Sequence, residues 1–499
     1  MLENASVLPC ELYKASQISE AELSLVSSGR ANYIDLVESA GDAAYRQIVK
    51  IKNSETPILV LVGNGNNGAD AFVCARHLLA AGYDVSLMAV SRDINAKGAS
   101  VHSVEYIHAR DGFKANAGVI DTPNMGRIIA AEVIIDGLLG IGLKGEIRAP
   151  VRDIITAINS SNAWVFSLDL PSGINADTGS GHCVVQANMT MTFGGVKQGL
   201  LTGHARQCVG ELFFADLGLS AFFPESKVTR VSNDLLADML LPRARDSHKG
   251  LSGKVTVVGG DKGMAGAIKL AAEACLRAGT GLVTVLSRPE HLNIINANRP
   301  ELMFWGCEVV DMEVYLRLGW ANTLIIGPGL GKQSWGYNLF KAVRLSDKPC
   351  VVDADALNLL SEEHCNNNNW VLTPHSGEAA RLLGITIAEV ERDRFAAADN
   401  IQKRYGGVVV LKGPGSLIFD GKKCVVAPVG NPGLASGGCG DVLTGVIAAL
   451  ISQGFSLFDA AIMGVIVHGE AADRAVTAGE RGMLASDLMP HIRSLVNHL

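Results

Sequence analysis

The chain has 499 residues, enough for two or three domains with ample cores, and its 48% hydrophobic and 19% charged content marks it as globular rather than disordered. A net charge of −7, without a basic stripe interleaved with aromatics, argues against nucleic acid as a partner. The ten cysteines are scattered without a CxxC pair, which argues against a disulfide framework or a zinc site and for a reducing compartment. No basic-then-apolar leader follows Met1, and no apolar run reaches the roughly 18 residues that span a bilayer. The expectation is a cytoplasmic protein with no membrane partner.

Residues 20–50 carry apolar positions at helical spacing and predict one or two helices ahead of a sheet. A buried strand over 58–62 runs into Gly63-Asn-Gly-Asn-Asn-Gly-Ala-Asp70; a helix over 71–81 and a strand over 85–90 complete a βαβ start. Gly63, Gly65 and Gly68 match the G-x-G-x-x-G dinucleotide fingerprint, but the acidic residue expected after the second strand is missing. Ala89-Val-Ser-Arg92 stands there, with Arg92 a candidate for a 2′-phosphate. Asn66, Asn67 and Asp70 offer oxygens beyond what a pyrophosphate turn needs, as hard cations and polar head groups require. A plain polar turn is the alternative. Strands over 133–135 and 164–168 end in Asp136-Gly-Leu-Leu-Gly-Ile-Gly142 and Asp169-Leu-Pro-Ser172-Gly173. The carboxyl ends of parallel strands face one crevice, so Asn67, Asp136, Asp169 and Ser172 are expected to converge. Alone, each aspartate would equally be a turn or cap residue. Residues 189–193 read as a strand and 210–214 as an edge strand. Lys197 reads as a solvated loop lysine, with a substrate contact as the alternative.

Gly63 to Asp70, Asp136-Gly-Leu-Leu-Gly140 and Asp169-Leu-Pro-Ser-Gly173 together resemble the NAD(P)H-hydrate epimerase family. That family has a three-layer Rossmann-like fold and interconverts the R and S epimers of hydrated NADH and NADPH. The resemblance implies that Asn66, Asn67, Gly68, Ala69 and Asp70 hold the hydrate together with Gly140, Ile141, Gly142, Leu143, Lys144, Gly145 and Glu146. It implies that Asn67, Asp136 and Ser172 ligate K+ and that Asp169 contacts the reacting ring as a catalytic group. Ala69 and Ala71 stand where the family usually has glycine.

Residues 224–250 turn polar around a short helical run over 235–241, which sets a boundary near residue 230 and domains of 1–229 and 230–499. Beyond it, strands are predicted over 254–258, 282–286, 323–326, 350–352, 370–372 and 408–411, with a long helix over 265–278. Strand after strand ends in a Gly, Asp or His loop, which describes a doubly wound α/β domain with a nucleotide-sized crevice. Neither a Walker A nor a protein-kinase motif set occurs. Gly430-Asn-Pro-Gly-Leu-Ala-Ser-Gly-Gly-Cys-Gly-Asp441 opens a predicted helix over 442–450, so the glycine run sits where backbone amides are unpaired and the dipole is positive. A carboxylate there is repelled by phosphate, which suits Asp441 to be a base for a hydroxyl beside the phosphate. A Gly-rich turn with Asp441 as a cap is the alternative.

This GxGD resembles the ribokinase-like superfamily, in which it carries the anion hole and the base. Gly327-Pro-Gly-Leu-Gly331, Asp353-Ala-Asp-Ala-Leu-Asn358, Thr373-Pro-His375, Lys412-Gly413 and Asn431 to Asp441 resemble the NAD(P)H-hydrate dehydratase family more closely. The two halves together resemble the bifunctional repair enzymes of bacteria. Ser376, Ser416 and Cys439 replace the usual proline, threonine and methionine. The resemblance implies ADP as phosphoryl donor, giving AMP, with Mg2+ bridging its phosphates, and a homo-oligomeric assembly. It assigns Lys412, Gly413, Pro414, Gly415, Ser416, Gly437, Gly438 and Gly440 to the nucleotide. Ala267, Gly329, His375 and Asp441 fall to the hydrate, with Asp441 taking the C6 hydroxyl proton. His375 alone would as readily be a buried or capping histidine, and Asn358 reads as structural. Two rivals remain at this point. One is a small-alcohol kinase of the thiazole or hydroxymethylpyrimidine type, which leaves the first half unexplained. In the other, the first half is a binding module that regulates the second.

Overall fold

The computed structural model describes residues 8–90, 102–142, 145–231 and 234–497. Arg92, Leu143 and Lys144 lie outside the described residues. The chain divides into two compact units between Val228 and Thr229.

In the first unit, two helices precede the sheet, α1 (Ala15–Ser27) and α2 (Tyr33–Ile48). Gly29, at φ 71, breaks the chain between them, and Asn32 opens α2 by accepting from Asp35 N while Asp35 accepts from Asn32 N. The strands are β1 (Ile58–Val62), β2 (Val85–Ala89), β3 (Ile120–Asp121), β4 (Val133–Gly137), β5 (Trp164–Leu168), β6 (Met189–Phe193) and β7 (Glu211–Ala215). They lie in the order β3-β2-β1-β4-β5-β6-β7, parallel throughout. Successive residues of β1 face opposite ways: Val60 and Val62 join a core with α2 and α3 (Asn66–Ala80), whereas Leu59 and Leu61 join one with α4 (Val151–Asn159). Both faces are covered, which is why the strands are apolar without alternation. The winding reverses between β1 and β4, so their carboxyl ends form the crevice.

Helix α3 begins at Asn66, five residues ahead of the predicted start, so Asn66 to Asp70 are its first turn and not a loop. Gly65 is extended at φ −103, and Gly68 N bonds back to its carbonyl, so the turn closes at once. The close approach needs glycine: a Cβ on Gly63 would lie 1.7 Å from Leu138 O, and one on Gly68 2.3 Å from Gly63 O. Gly63→Ala is therefore expected to destabilise the first unit by about 1–3 kcal/mol, read as a lower midpoint in chemical denaturation.

In the second unit the strands are β8 (Lys254–Val258), β9 (Leu282–Ser287), β10 (Met303–Gly306), β11 (Thr323–Ile326), β12 (Cys350–Val352), β13 (Trp370–Leu372), β14 (Val408–Leu411), β15 (Ser416–Phe419) and β16 (Cys424–Ala427). Their order is β16-β15-β14-β13-β12-β11-β8-β9-β10, antiparallel only where β15 meets β14 and β16. Three helices, α5 (Ala265–Arg277), α6 (Cys439–Ser452) and α7 (Leu457–Ala475), share one core with Val255, Val283, Ile325 and Val351. Helix α6 is buried from Val442 to Ser452, which holds its glycine-rich N-terminus rigidly against the carboxyl end of the sheet. No helix among the described residues is long and apolar enough to cross a membrane.

Candidate active sites

In the first unit, the ends of β1, β4 and β5 bring the predicted residues together. Asn67 Nδ2 donates to Leu139 O at 2.8 Å, and Ser172 Oγ accepts from Leu139 N at 2.8 Å. Asp136 is fully buried and takes bonds from Ser167 Oγ (2.9 Å), Ser172 N (2.9 Å), Ser172 Oγ (2.6 Å) and Leu138 N (3.2 Å). Burial raises the pKa of Asp136, and those bonds pull it back. Asn67 Oδ1 is buried with no hydrogen-bond partner. A buried amide oxygen left open, on a side chain whose Nδ2 shares the Leu139 carbonyl with Ser172 Oγ, suits a hard cation.

Asp169 sits at φ 64, an uncommon conformation for a residue with a Cβ, inside a tight turn closed by Leu170 N to Leu168 O at 2.8 Å. Its Oδ1 accepts from Lys197 Nζ and from Phe193 N at 3.2 Å, while Oδ2 lies 3.9 Å from where a Cβ on Gly140 would stand. That same Cβ would be 3.2 Å from Asn67 Cβ, so Gly140, Asn67 and Asp169 meet at one point.

Lys197 is not a solvated loop lysine. It is 1% exposed, and its ammonium also donates to Thr192 Oγ1 (3.1 Å) and Phe193 O (2.8 Å). Its loop is held by the segment ahead of α1, through Tyr13 N to Val196 O and Gln198 N to Tyr13 O, both 2.9 Å. Two further carboxylates feel this pair. Burial raises Asp70 well above the usual carboxylate range, with Asp169 and Glu22 adding to it and Lys197 opposing. Glu22, on α1, is raised by burial and by Asp169 against Lys197. Nothing local to residue 22 announces this role. Ala71, one of the two departures, turns its methyl toward Gly137, where a Cβ would come within 2.5 Å of it. Ile141, Gly142, Gly145 and Glu146 continue along the loop after Gly140, Ile141 half-buried and the other three exposed.

In the second unit the carboxyl ends of β8, β11, β12, β13 and β14 surround the N-terminus of α6. Gly438 caps that helix at φ 92, and a Cβ there would strike Leu270 at 2.5 Å. Gly437 is open, so its backbone is accessible to an anion. Asp441 lies in the first turn of α6. Its pKa is pushed up to about 7, chiefly by burial, then by Asp353, Asp355 and Glu378 against Lys412.

Lys412 donates to Asp353 Oδ1 at 2.9 Å and lies 3.9 Å from Glu378 Oε2. Burial disfavours its charge, but Asp353 and Glu378 outweigh burial and raise its pKa. Ser416 Oγ closes the loop after it, accepting from Gly413 N (3.3 Å) and donating to Gly413 O (3.2 Å) around Pro414 and Gly415. The fully buried Arg394 clamps the same loop through Leu411 O (3.1 Å) and Lys412 O (3.2 Å). This arginine opens the helix Arg394–Tyr405 among ordinary charged neighbours, and nothing local in the sequence sets it apart.

His375 caps the helix Ser376–Leu383, its Nδ1 accepting from Gly377 N (2.9 Å) and Glu378 N (3.3 Å), so its proton is on Nε2. The ring is half exposed beside the site, and burial, helped by Lys412, lowers its pKa. The capping and site-lining readings therefore describe the same histidine. Gly329, at φ 58, and Ala267 line the opposite wall: a Cβ on Gly329 would be 3.4 Å from that of Ala267 and 2.7 Å from Met264 Cβ. Asn358 accepts from Arg381 at 2.7 Å, a structural role. Ser376, in place of proline, gives its hydroxyl to Glu391, and Cys439 is buried with its carbonyl bonded to His468 Nε2 at 2.9 Å.

A cavity of about 570 Å³ lies at the other end of this sheet, lined by Arg243, Arg277, Gly279 and Gln453. Its polar groups serve the last carbonyls of α5 and α6, as in Gln453 Nε2 to Ala278 O (3.1 Å) and Ala449 O (2.9 Å).

Residues 255–494 match the family model described as NAD(P)H-hydrate dehydratase, and residues 34–199 match that of the YjeF-related protein N-terminus. The bifunctional NAD(P)H-hydrate repair enzyme of Coxiella burnetii is 45% identical over 97% of this chain and 99% of its own length. The Escherichia coli enzyme of the same name is 40% identical over 100% of this chain and 96% of its own. A solved ribokinase-like protein of Enterococcus faecalis, 27% identical, matches 55% of this chain and 98% of its own at a TM-score of 0.52. With identity of this order running the length of both halves, the chain belongs to the family of bifunctional NAD(P)H-hydrate repair enzymes.

Proposed function

We propose that the chain repairs hydrated NADH and NADPH in two steps, residues 1–229 equilibrating the R and S hydrates and residues 230–499 converting the S form back to NAD(P)H with ADP. The observation that carries this reading is Asp441, a carboxylate pushed up to about 7 in the first turn of a helix whose glycine-rich start is an anion site. Such a group is a base near neutral pH, next to where a phosphoryl group would lie.

The hydrate carries its hydroxyl on C6, beside the ring nitrogen N1. Asp441 takes the hydroxyl proton, and the C6 oxygen attacks the terminal phosphorus of ADP. The bond to the bridging oxygen breaks and AMP leaves. Gly437, Gly438 and Gly440 amides, with Lys412 to Ser416, bear the charge in transit. The N1 lone pair then expels phosphate from C6, and loss of a C5 proton completes the ring double bond. Mg2+ accompanies the nucleotide as counter-ion to its phosphates; no protein ligand is assigned to it.

In the first unit, Asp169 Oδ2 takes the C6 hydroxyl proton and returns it to N1 as the C6–N1 bond opens to an aldehyde. Closure on the other face reverses both transfers. The orphaned Asn67 Oδ1, with Asp136 and Ser172, fits a K+ ion. That ion would supply positive charge beside the hydrate and hold the Asn67 and Leu139 loops together.

Purified protein given mixed R and S NADPH hydrate, ADP, Mg2+ and K+ is expected to return all of it as NADPH, followed by nicotinamide absorbance. Omitting K+ should slow only the R fraction. Recovery that stops at the S fraction in every buffer would remove the epimerase half of the reading. No recovery with ADP or ATP would favour a small-alcohol kinase.

A further inference from the structure

Asp353 is 2% exposed at the end of β12. Its Oδ1 accepts from Lys412 Nζ at 2.9 Å, and its Oδ2 from Thr444 Oγ1, also at 2.9 Å. Thr444 is fully buried on α6, one turn beyond the glycine-rich start. A Cβ on Gly440 would lie 3.3 Å from Lys412 Nζ and 3.7 Å from Asp353 Oδ2. The lysine ammonium is therefore pinned directly over the anion loop, and the same carboxylate ties it to the helix that forms the loop. Three elements distant in sequence meet at this one group.

We propose that Asp353 is the positioning residue of the phosphoryl-transfer step, fixing the Lys412 ammonium over Gly440 where the transferred group passes and anchoring that ammonium to α6 through Thr444. A lysine is a flexible point charge, and it stabilises a transition state only if it is already in place. The ion pair alone would let it swing; the second bond, to Thr444, removes that freedom. The proposal rests on the phosphoryl-transfer reading of this site.

The charged groups facing Asp441 are Asp353, Asp355 on the helix Ala354–Glu362, Glu378 on the helix Ser376–Leu383, and Lys412. From α7, the neutral His468 meets the neighbouring Cys439 carbonyl. Of the carboxylates, Asp353 acts most strongly on Asp441 and Lys412 acts in the opposite sense. Removing either one therefore moves the low-pH limb of the rate in a defined direction.

The test is the S-hydrate dehydration rate of the full-length protein across pH. Asp353→Asn is expected to lower kcat about 100-fold with little change in hydrate KM, and to move the limb to lower pH by about one unit. Lys412→Met should lower kcat comparably but move the limb to higher pH. Thr444→Val keeps every charge. It should lower kcat several-fold with the limb unmoved, and add nothing to Lys412→Met in a double-mutant cycle. An unmoved limb in Asp353→Asn, or a loss confined to KM, would overturn the proposal. If Asp353→Asn fails to fold, additivity of Thr444→Val with Lys412→Met would overturn it equally. A wild-type protein that dehydrates nothing would instead defeat the underlying functional reading.

Discussion

Asp441→Asn is expected to cut turnover of the S hydrate by about 100- to 10,000-fold while epimerisation proceeds at the wild-type rate. The variant keeps the shape of the glycine-rich turn and loses only the proton acceptor, so nucleotide affinity should be retained or rise, since a carboxylate beside phosphate is gone. The pH dependence follows from the sign of the shift. Burial, then Asp353, pushes Asp441 up to about 7, so the base form accumulates only as pH rises through 7, and wild-type kcat should climb over that interval. Stability runs the other way. A carboxyl whose folded pKa lies above its unfolded value of 3.8 contributes stability that is present at low pH and lost as pH rises toward about 7. Asp441→Asn should therefore unfold at a higher denaturant concentration than the wild type at pH 8, and show no such gain at pH 4. Loss of activity accompanied by loss of stability at pH 8 would count against Asp441 as an isolated, functionally placed charge.

Asp169→Asn is expected to abolish most epimerisation, again by about 100- to 10,000-fold, so that recovery from a mixed hydrate stops at the S fraction plus spontaneous conversion. Asn cannot carry the proton, although it can keep the bonds from Phe193 N and Thr192 Oγ1 to its oxygen. Lys197→Met is the more telling partner. Lys197 fills a buried position where all of its bonds go to Asp169, Thr192 and Phe193. Its removal leaves the Asp169 carboxylate near Asp70 and Glu22 without a cation, an arrangement that typically costs about 3–5 kcal/mol. Epimerisation should fall, the first unit should unfold at lower denaturant, and dehydration of pure S hydrate should be untouched. A Lys197→Met protein with full epimerisation would mean that Asp169 needs no partner to hold its Oδ2 toward Gly140.

Most of the strands are legible in the sequence because they are runs of three to six mostly apolar residues ended by glycine or a polar turn residue, a local pattern that a buried parallel strand shows. β8, β11, β12, β13 and β14 begin and end where expected. β3 and β10 lie outside the strands predicted above, as do β15 and β16, which form an antiparallel extension joined by a turn at Gly421. Helix α3 starts ahead of the expected position because asparagine and glycine, which favour turns in isolation, here open a helix: Gly68 can lie against Gly63. The burial of Lys197 is hidden from the sequence for a related reason. A lysine after Gly194-Gly-Val looks solvated until its partner is known, and Asp169 stands 28 residues earlier.

What the sequence determined by itself is the set of loops: glycines where backbone must approach closely, carboxylates at strand ends, and an aspartate opening a buried helix. Those are local requirements, and a residue type at a given spacing satisfies them or does not. Only the tertiary structure decided which charges meet. Lys412 reaches Asp353 across 59 residues, and Thr444 reaches the same carboxylate across 91. Such pairings depend on strand order, since the carboxyl ends of β12 and β14 and the start of α6 become neighbours only when the parallel sheet assembles. The shift of Asp441 to about 7 has the same origin. It is a property of burial among Asp353, Asp355, Glu378 and Lys412, and no residue in the chain carries it alone.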